Sequence, residues 1–154
     1  MLKKKLEVVV LPVSDVDRAK AFYDSIGFRE DFDHTGDDDF RVVQFTPPGS
    51  EASIVFGTGV TDAVPGSIRG LVLTVIDIAI ARADLIDRGV DVSGVFHDIG
   101  GVFVHFGPEY GVPGPDPAQR DYRSYTRFDD PDGNHWFLRQ VAARRPGPAR
   151  GIRK

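Results

Sequence analysis

Few residues in this chain could do chemistry, and they are widely spaced. The four histidines are His34, His97, His105 and His135, and nothing in their spacing makes an H-x-x-x-H or other local chelate. His97 and His105 flank a glycine-rich stretch, His135 opens a late apolar run, and His34 sits in an acidic turn. His105 and Tyr110 could act as acid–base groups if the glycine-rich stretch folds over a site. Asp129, Asp130 and Asp132 cluster, as do residues 37–39, but turn formation and solvation account for both groups. No G-x-S-x-G elbow, phosphate-binding glycine loop or cysteine occurs, which removes those nucleophiles, thiolate metal sites and disulfides.

The elements that must position these residues come in two copies. Residues 11–28 read LPVSDVDRAKAFYDSIGF, and residues 73–90, shifted by 62, read LTVIDIAIARADLIDRGV. Each copy is a strand end, an Asp where a helix starts, a helix with small residues on one face, and a Gly where it stops. Asp15 and Asp77 are N-caps, because a carboxylate there accepts from free N–H groups of the first turn. Gly27 and Gly89 supply the stops. A second echo, at a shift of 84, matches Thr46-Pro-Pro-Gly49 with Asp130-Pro-Asp-Gly133. The same order of signals in both halves implies one supersecondary unit used twice.

Strands are expected at residues 6–13, 28–32, 40–46 and 52–57 in the first copy, and at 69–76, 90–96, 122–128 and 135–141 in the second. With the helices this reads as two βαβββ modules, 1–57 and 69–142, joined by a polar connector at 58–68. Residues 98–121 are excess in the second copy. Their Gly, Pro and aromatic content marks a long loop, read as a lid, with a short strand at 102–106.

Composition bounds the rest. A length of 154 residues, 41% hydrophobic and 27% charged, suits one structural domain with a real core. The net charge of −4 hides five basic groups in residues 143–154; the rest of the chain sets 14 basic against 23 acidic residues. That acidic body argues against nucleic-acid binding, and the Pro/Gly/Arg tail is expected to be disordered. No stretch approaches the roughly 20 apolar residues of a membrane span. With no signal-peptide pattern at the N-terminus, the expectation is a soluble cytoplasmic protein.

Paired βαβββ units with V-x-D opening each helix, Phe22-Tyr23 on the first helix and Asp130-Pro-Asp-Gly133 before the last strand resemble the vicinal oxygen chelate superfamily. This is the glyoxalase, bleomycin-resistance and extradiol-dioxygenase group. The resemblance covers residues 6–141. It implies an α+β fold in which two tandem βαβββ modules form a curved mixed-sheet cup, the glyoxalase-like fold, often in a homodimer.

The resemblance also implies stations for a divalent metal. Its first ligand stands seven residues before the helix-opening Asp, which here gives Val8 and Gly70. Its last ligand stands four residues after the turn glycine, which gives Phe137, with Ser53 or Ile54 as repeat mate. Valine, glycine and phenylalanine side chains cannot hold a cation, so the expectation is no metal and no cofactor; a metal at a displaced histidine site is the alternative. The cup would instead be apolar, lined by Val8, Val10, Gly70, Val72 and Phe137. Gln44, His105, Tyr110, Arg123, Tyr125 and Arg139 would be polar or aromatic contacts at its rim. That lining suits a small, largely apolar or aromatic ligand. Three readings follow: a metal-free binder like the bleomycin-resistance branch, a family enzyme of lyase, isomerase or dioxygenase type using a displaced metal or His/Tyr acid–base chemistry, and a structural or regulatory dimer with a filled cup.

Overall fold

The computed structural model describes residues 1–97 and 111–142. The expected strand at 102–106, most of the expected lid and the basic tail lie outside the described residues. The chain divides into two compact units: Met1–Ile68 with Asp130–Asn134, and Arg69–Asp129 with His135–Lys154.

The first unit runs β1 (Val8–Val10), α1 (Val16–Ser25), β2 (Arg29–Thr35), β3 (Arg41–Thr46) and β4 (Ser53–Thr58). The sheet order is β1-β4-β3-β2, with β1 parallel to β4 and the remaining pairs antiparallel. The second unit runs β5 (Leu71–Val75), α2 (Ile78–Asp87), β6 (Phe96–His97), β7 (Val112–Pro113), β8 (Ser124–Asp129) and β9 (His135–Gln140). Its order is β5-β9-β8-β6-β7, again with the first pair parallel. The expected α+β class and the paired order of the modules are what the structure shows; the second unit departs from a plain βαβββ by the two-residue strand β7, within the stretch expected as a loop.

Local chemistry sets the helix ends. The Asp15 carboxylate accepts from Arg18 N, and the Asp77 carboxylate accepts from Ile80 N. At the other end Gly27 takes φ +90° and Gly89 φ +87°, a region that glycine enters without steric cost. Phe28 N then donates to the Tyr23 carbonyl and Gly27 N to the Asp24 carbonyl, closing a Schellman motif. The Tyr23 and Phe28 rings pack across it at a tilt of 31°, their centroids 5.6 Å apart. Val90 and Gly89 repeat both bonds onto Leu85 and Ile86.

The second-copy strand expected at 90–96 is not continuous. Val92 makes an isolated bridge to Phe128, and regular pairing resumes only at Phe96. Ser93 explains the gap: its hydroxyl, not a backbone carbonyl, accepts from Arg127 N, and its own carbonyl is taken by Arg82 Nε. Likewise β8 starts at Ser124 and not at 122, because Tyr122 has φ +68°, which no strand accommodates.

The core of the first unit is aromatic. Tyr23, Phe45 and Phe56 are fully buried, with ring centroids 5.7–6.4 Å apart. Into this core reaches Asp130, which the sequence reading took for a solvated turn residue. It is only 4% exposed. Its Oδ2 accepts from Tyr23 Oη and from Asn134 Nδ2, both at 2.8 Å, and its Oδ1 accepts from the backbone N–H groups of Asp132 and Asn134. Asn134 also donates to the Pro12 carbonyl and accepts from Ile68 N, so one buried network joins α1, the connector and the turn at 130–134. A buried carboxylate is tolerated because every lone pair meets a donor.

Tyr23→Phe should therefore cost about 1–2 kcal/mol by removing one donor, and Asp130→Ala about 3 kcal/mol or more by stranding several. Urea denaturation of the two variants checks this; equal, negligible losses would mean the network does not carry stability.

Candidate functional site

Strand side chains alternate between faces, and pairing register sorts them. In the first unit Val43, Phe45, Ile54 and Phe56 pair with one another, and their face packs on α1 through Tyr23. Val8 and Val10 pair with Ser53 and Val55, and Gln44 also pairs with Val55. These residues occupy the face turned away from the helix. The structure thus brings Val8, Val10 and Gln44 together, and Val10 is partly open to solvent.

One member of this face was missed. β2 carries a bulge between Glu30 and Phe32, leaving Asp31 as the extra residue. Its Oδ2 accepts from Gln44 Nε2 at 3.0 Å and from the Thr46 hydroxyl, which also bonds the Ser53 hydroxyl at 2.6 Å. A bulge re-aims a side chain in this way, and the run R-E-D-F-D-H gives no sign of where it falls. Burial works to raise the Asp31 carboxyl, but donations from Thr46, Gln44 and Arg29 together hold it below its ordinary value.

In the second unit the Gln140 side chain accepts from Ile78 N at the start of α2, so even-numbered residues of β9 face the helix. His135, Phe137 and Arg139 face the other way. Their partners are Asp129, Arg127 and Tyr125 on β8 and, for Phe137, Val72 on β5. Gly70 immediately precedes β5, and Arg123, half-buried, immediately precedes β8. Phe137 and Tyr125 are not open walls: they are 3% and 0% exposed and cluster with Phe96. The Arg139 guanidinium lies 5.0 Å from the Tyr122 ring centroid and 6.0 Å from that of Tyr125, and its buried Nε has no acceptor among the described residues. His105 and Tyr110 lie outside the described residues. A hollow of about 320 Å³ in the first unit, bounded by residues 12–14, 57–59 and 61–63, is lined by none of the candidate residues.

Register also corrects the repeat alignment. Val10 and Val72 are repeat mates, and they pair with Val55 and Phe137. The mate of Phe137 is therefore Val55, not Ser53 or Ile54; the mate of Ser53 is His135. The four metal stations implied by the resemblance are thus Val8, Val55, Gly70 and Phe137. None has a donor atom in its side chain, and a divalent cation does not fit them. Among the described residues no group of three or more His, Asp or Glu side chains is placed to hold a metal. His97 is engaged elsewhere, its Nδ1 2.8 Å from the Gly114 carbonyl oxygen.

The chain matches the family model for the glyoxalase/bleomycin resistance protein/dioxygenase superfamily over residues 5–138. It belongs to that superfamily. Among solved structures it is similar to TnmS3, an antibiotic binding protein from Streptomyces sp. CB03234, with 32% identity over 91% of this chain and 98% of that one, at a TM-score of 0.66. A glyoxalase/bleomycin resistance protein from the same organism has 31% identity, covering 88% of this chain and 100% of the other, with a TM-score of 0.63. A superfamily member from Sphaerobacter thermophilus DSM 20745 has 27% identity, 92% and 100% coverage, and a TM-score of 0.66. No curated protein shows a significant match. Among the described residues, no helix is long and apolar enough to cross a membrane.

A charged group completes the face of the second unit. His135 Nδ1 lies 2.8 Å from Asp129 Oδ1, and Arg127 holds both oxygens of the same carboxylate at 3.1 Å. Burial is the main influence holding the His135 imidazole below its usual value; Asp129 opposes it, and Arg127 and Arg69 reinforce it. The unfolded chain then binds the proton more readily than the folded one. The stabilisation is complete above the ordinary imidazole value of about 6.5 and is lost as pH falls below it. Between pH 7 and pH 5, His135→Gln should lose less stability than the parent protein in chemical denaturation; parallel losses would contradict this assignment.

Proposed function

We propose that this superfamily member binds a small, largely apolar or aromatic organic molecule against the helix-free faces of its sheets, without a divalent metal. The observation that carries the reading is chemical: Val8, Val55, Gly70 and Phe137 occupy the stations where the superfamily's ligands would stand, and none can coordinate. Around them the faces offer the exposed Val10 and Val72 and the Arg139 guanidinium over the Tyr122 ring, a mixture that suits a planar organic ligand. Similarity to an antibiotic binding protein at 32% identity supports the same class of ligand. Residence in the cytoplasm and assembly as a homodimer belong to this reading.

A second reading, a structural or regulatory protein whose face is filled by its own side chains, is favoured by one observation. Phe96, Tyr125 and Phe137 pack together and leave almost no accessible surface on one another.

Calorimetric titration with a panel of aromatic antibiotics separates the two. We expect saturable binding by at least one member, undiminished after dialysis against EDTA. Val72→Asp, at a partly exposed position beside Phe137, should weaken it at least about tenfold by placing a charge against apolar surface. Absence of any binder would favour the filled face, and loss of binding with EDTA would overturn metal independence.

A further inference from the structure

Asp129 and His135 stand opposite each other on β8 and β9, and their contact goes beyond what strand pairing requires. Three features single it out. First, Nδ1 lies between Asp129 Oδ1 at 2.8 Å and Arg127 Nη2 at 3.2 Å. The shorter contact is to the carboxylate, and Arg127 already donates to both of its oxygens, so the ring proton belongs on Nδ1, where a bare nitrogen would face the oxygen lone pairs. Nε2 is then a lone-pair acceptor.

Second, every contact of His135 runs through Nδ1 or through long-range charge, so Nε2 has no protein partner among the described residues. The ring is mostly buried, its side chain 15% exposed, yet Nε2 is not one of the sealed polar atoms lacking a partner. An incoming group can reach it.

Third, the surroundings select what that group would be. Arg127, with Nη2 3.2 Å from Nδ1, and Arg69 favour an oxygen carrying partial negative charge, and Phe137 is the next residue along β9 on the same face. The repeat mates of Asp129 and His135, Thr46 and Ser53, carry hydroxyls bonded to each other, with Thr46 donating on to Asp31, so no imidazole acceptor stands at that station of the first unit.

We propose that His135, oriented by Asp129, recognises a hydroxyl group, so that the molecule bound on this face carries a phenolic or enolic O–H donating to Nε2. This rests on the reading that the face takes an aromatic ligand. His135 is the binding residue and Asp129 the positioning residue. A phenol or enol fits better than an aliphatic alcohol because its hydroxyl is the stronger donor and its oxygen shares charge with the ring. A ligand lacking the hydroxyl leaves a desolvated acceptor unpaired, which is how polar sites discriminate.

The test compares 2-naphthol with 2-methoxynaphthalene, which differ in the donor proton and a methyl group, by fluorescence titration of the full chain. The parent protein should prefer the naphthol about tenfold. In His135→Phe the ratio should collapse to about one. Asp129→Asn, which keeps shape and frees the ring to change tautomer, should also lower it; imidazole 15N shifts should show the Nδ1–H form in the parent and its loss in this variant. If His135→Phe does not fold, the Asp129→Asn ratio decides. Equal binding of both probes to the parent, or a ratio retained in the variants, overturns the hydroxyl assignment and leaves the ligand face standing. Failure of both probes to saturate the parent overturns both.

Discussion

Two-residue alternation along paired strands is the constraint on which everything else depends. Parallel pairing of β1 with β4 and of β5 with β9 locks the register in each unit, and burial of the helix-facing residues makes that register costly to change. A slip of one residue in β9 would send Trp136 and Leu138 to the open face and drive His135, Phe137 and Arg139 against α2. Apolar burial worth about 2 kcal/mol or more per large side chain opposes such a slip. The positions of Val8, Val55, Gly70 and Phe137 on the helix-free faces follow from this packing, and so does the chemistry those faces can offer.

Duplication supplies the frame, and divergence within it supplies the chemistry. At equivalent stations the first unit holds Gln44, Thr46 and Ser53, neutral groups bonded to one another and to Asp31. The second holds Arg127, Asp129 and His135, an ionic group built around one carboxylate. The first is tied together through the Asp31 carboxylate. The second keeps a ring nitrogen free. A unit used twice presents one patch of neutral groups bonded among themselves and one ionic patch, and only the latter offers an imidazole nitrogen to a ligand.

What was legible in the sequence was local. Helix caps at Asp15, Asp77, Gly27 and Gly89 rest on interactions within one turn of chain, so spacing alone reveals them. Long apolar strands such as β5 and β9 announce themselves for the same reason. The rest depended on partners distant in sequence. Asp130 reads as turn chemistry, yet it is buried because Tyr23, 107 residues away, donates to it. Asp31 faces Gln44 only because a bulge takes up one residue. Residues 90–96 carry strand-like composition, but the Ser93 hydroxyl replaces a backbone acceptor. The mate of Phe137 was misassigned because the two turns differ in length, something only register against β1 and β5 reveals.

The central claim is that hydrocarbon and hydrogen stand where coordinating atoms would be, so recognition on these faces needs no cation. Native mass spectrometry of protein purified without chelator, from cells supplied with iron, manganese, nickel and zinc, reads this directly. The account predicts the mass of the bare polypeptide, singly or as a multimer, with any adduct being an organic molecule. A stoichiometric divalent ion that persists through buffer exchange and leaves only with chelation would contradict it.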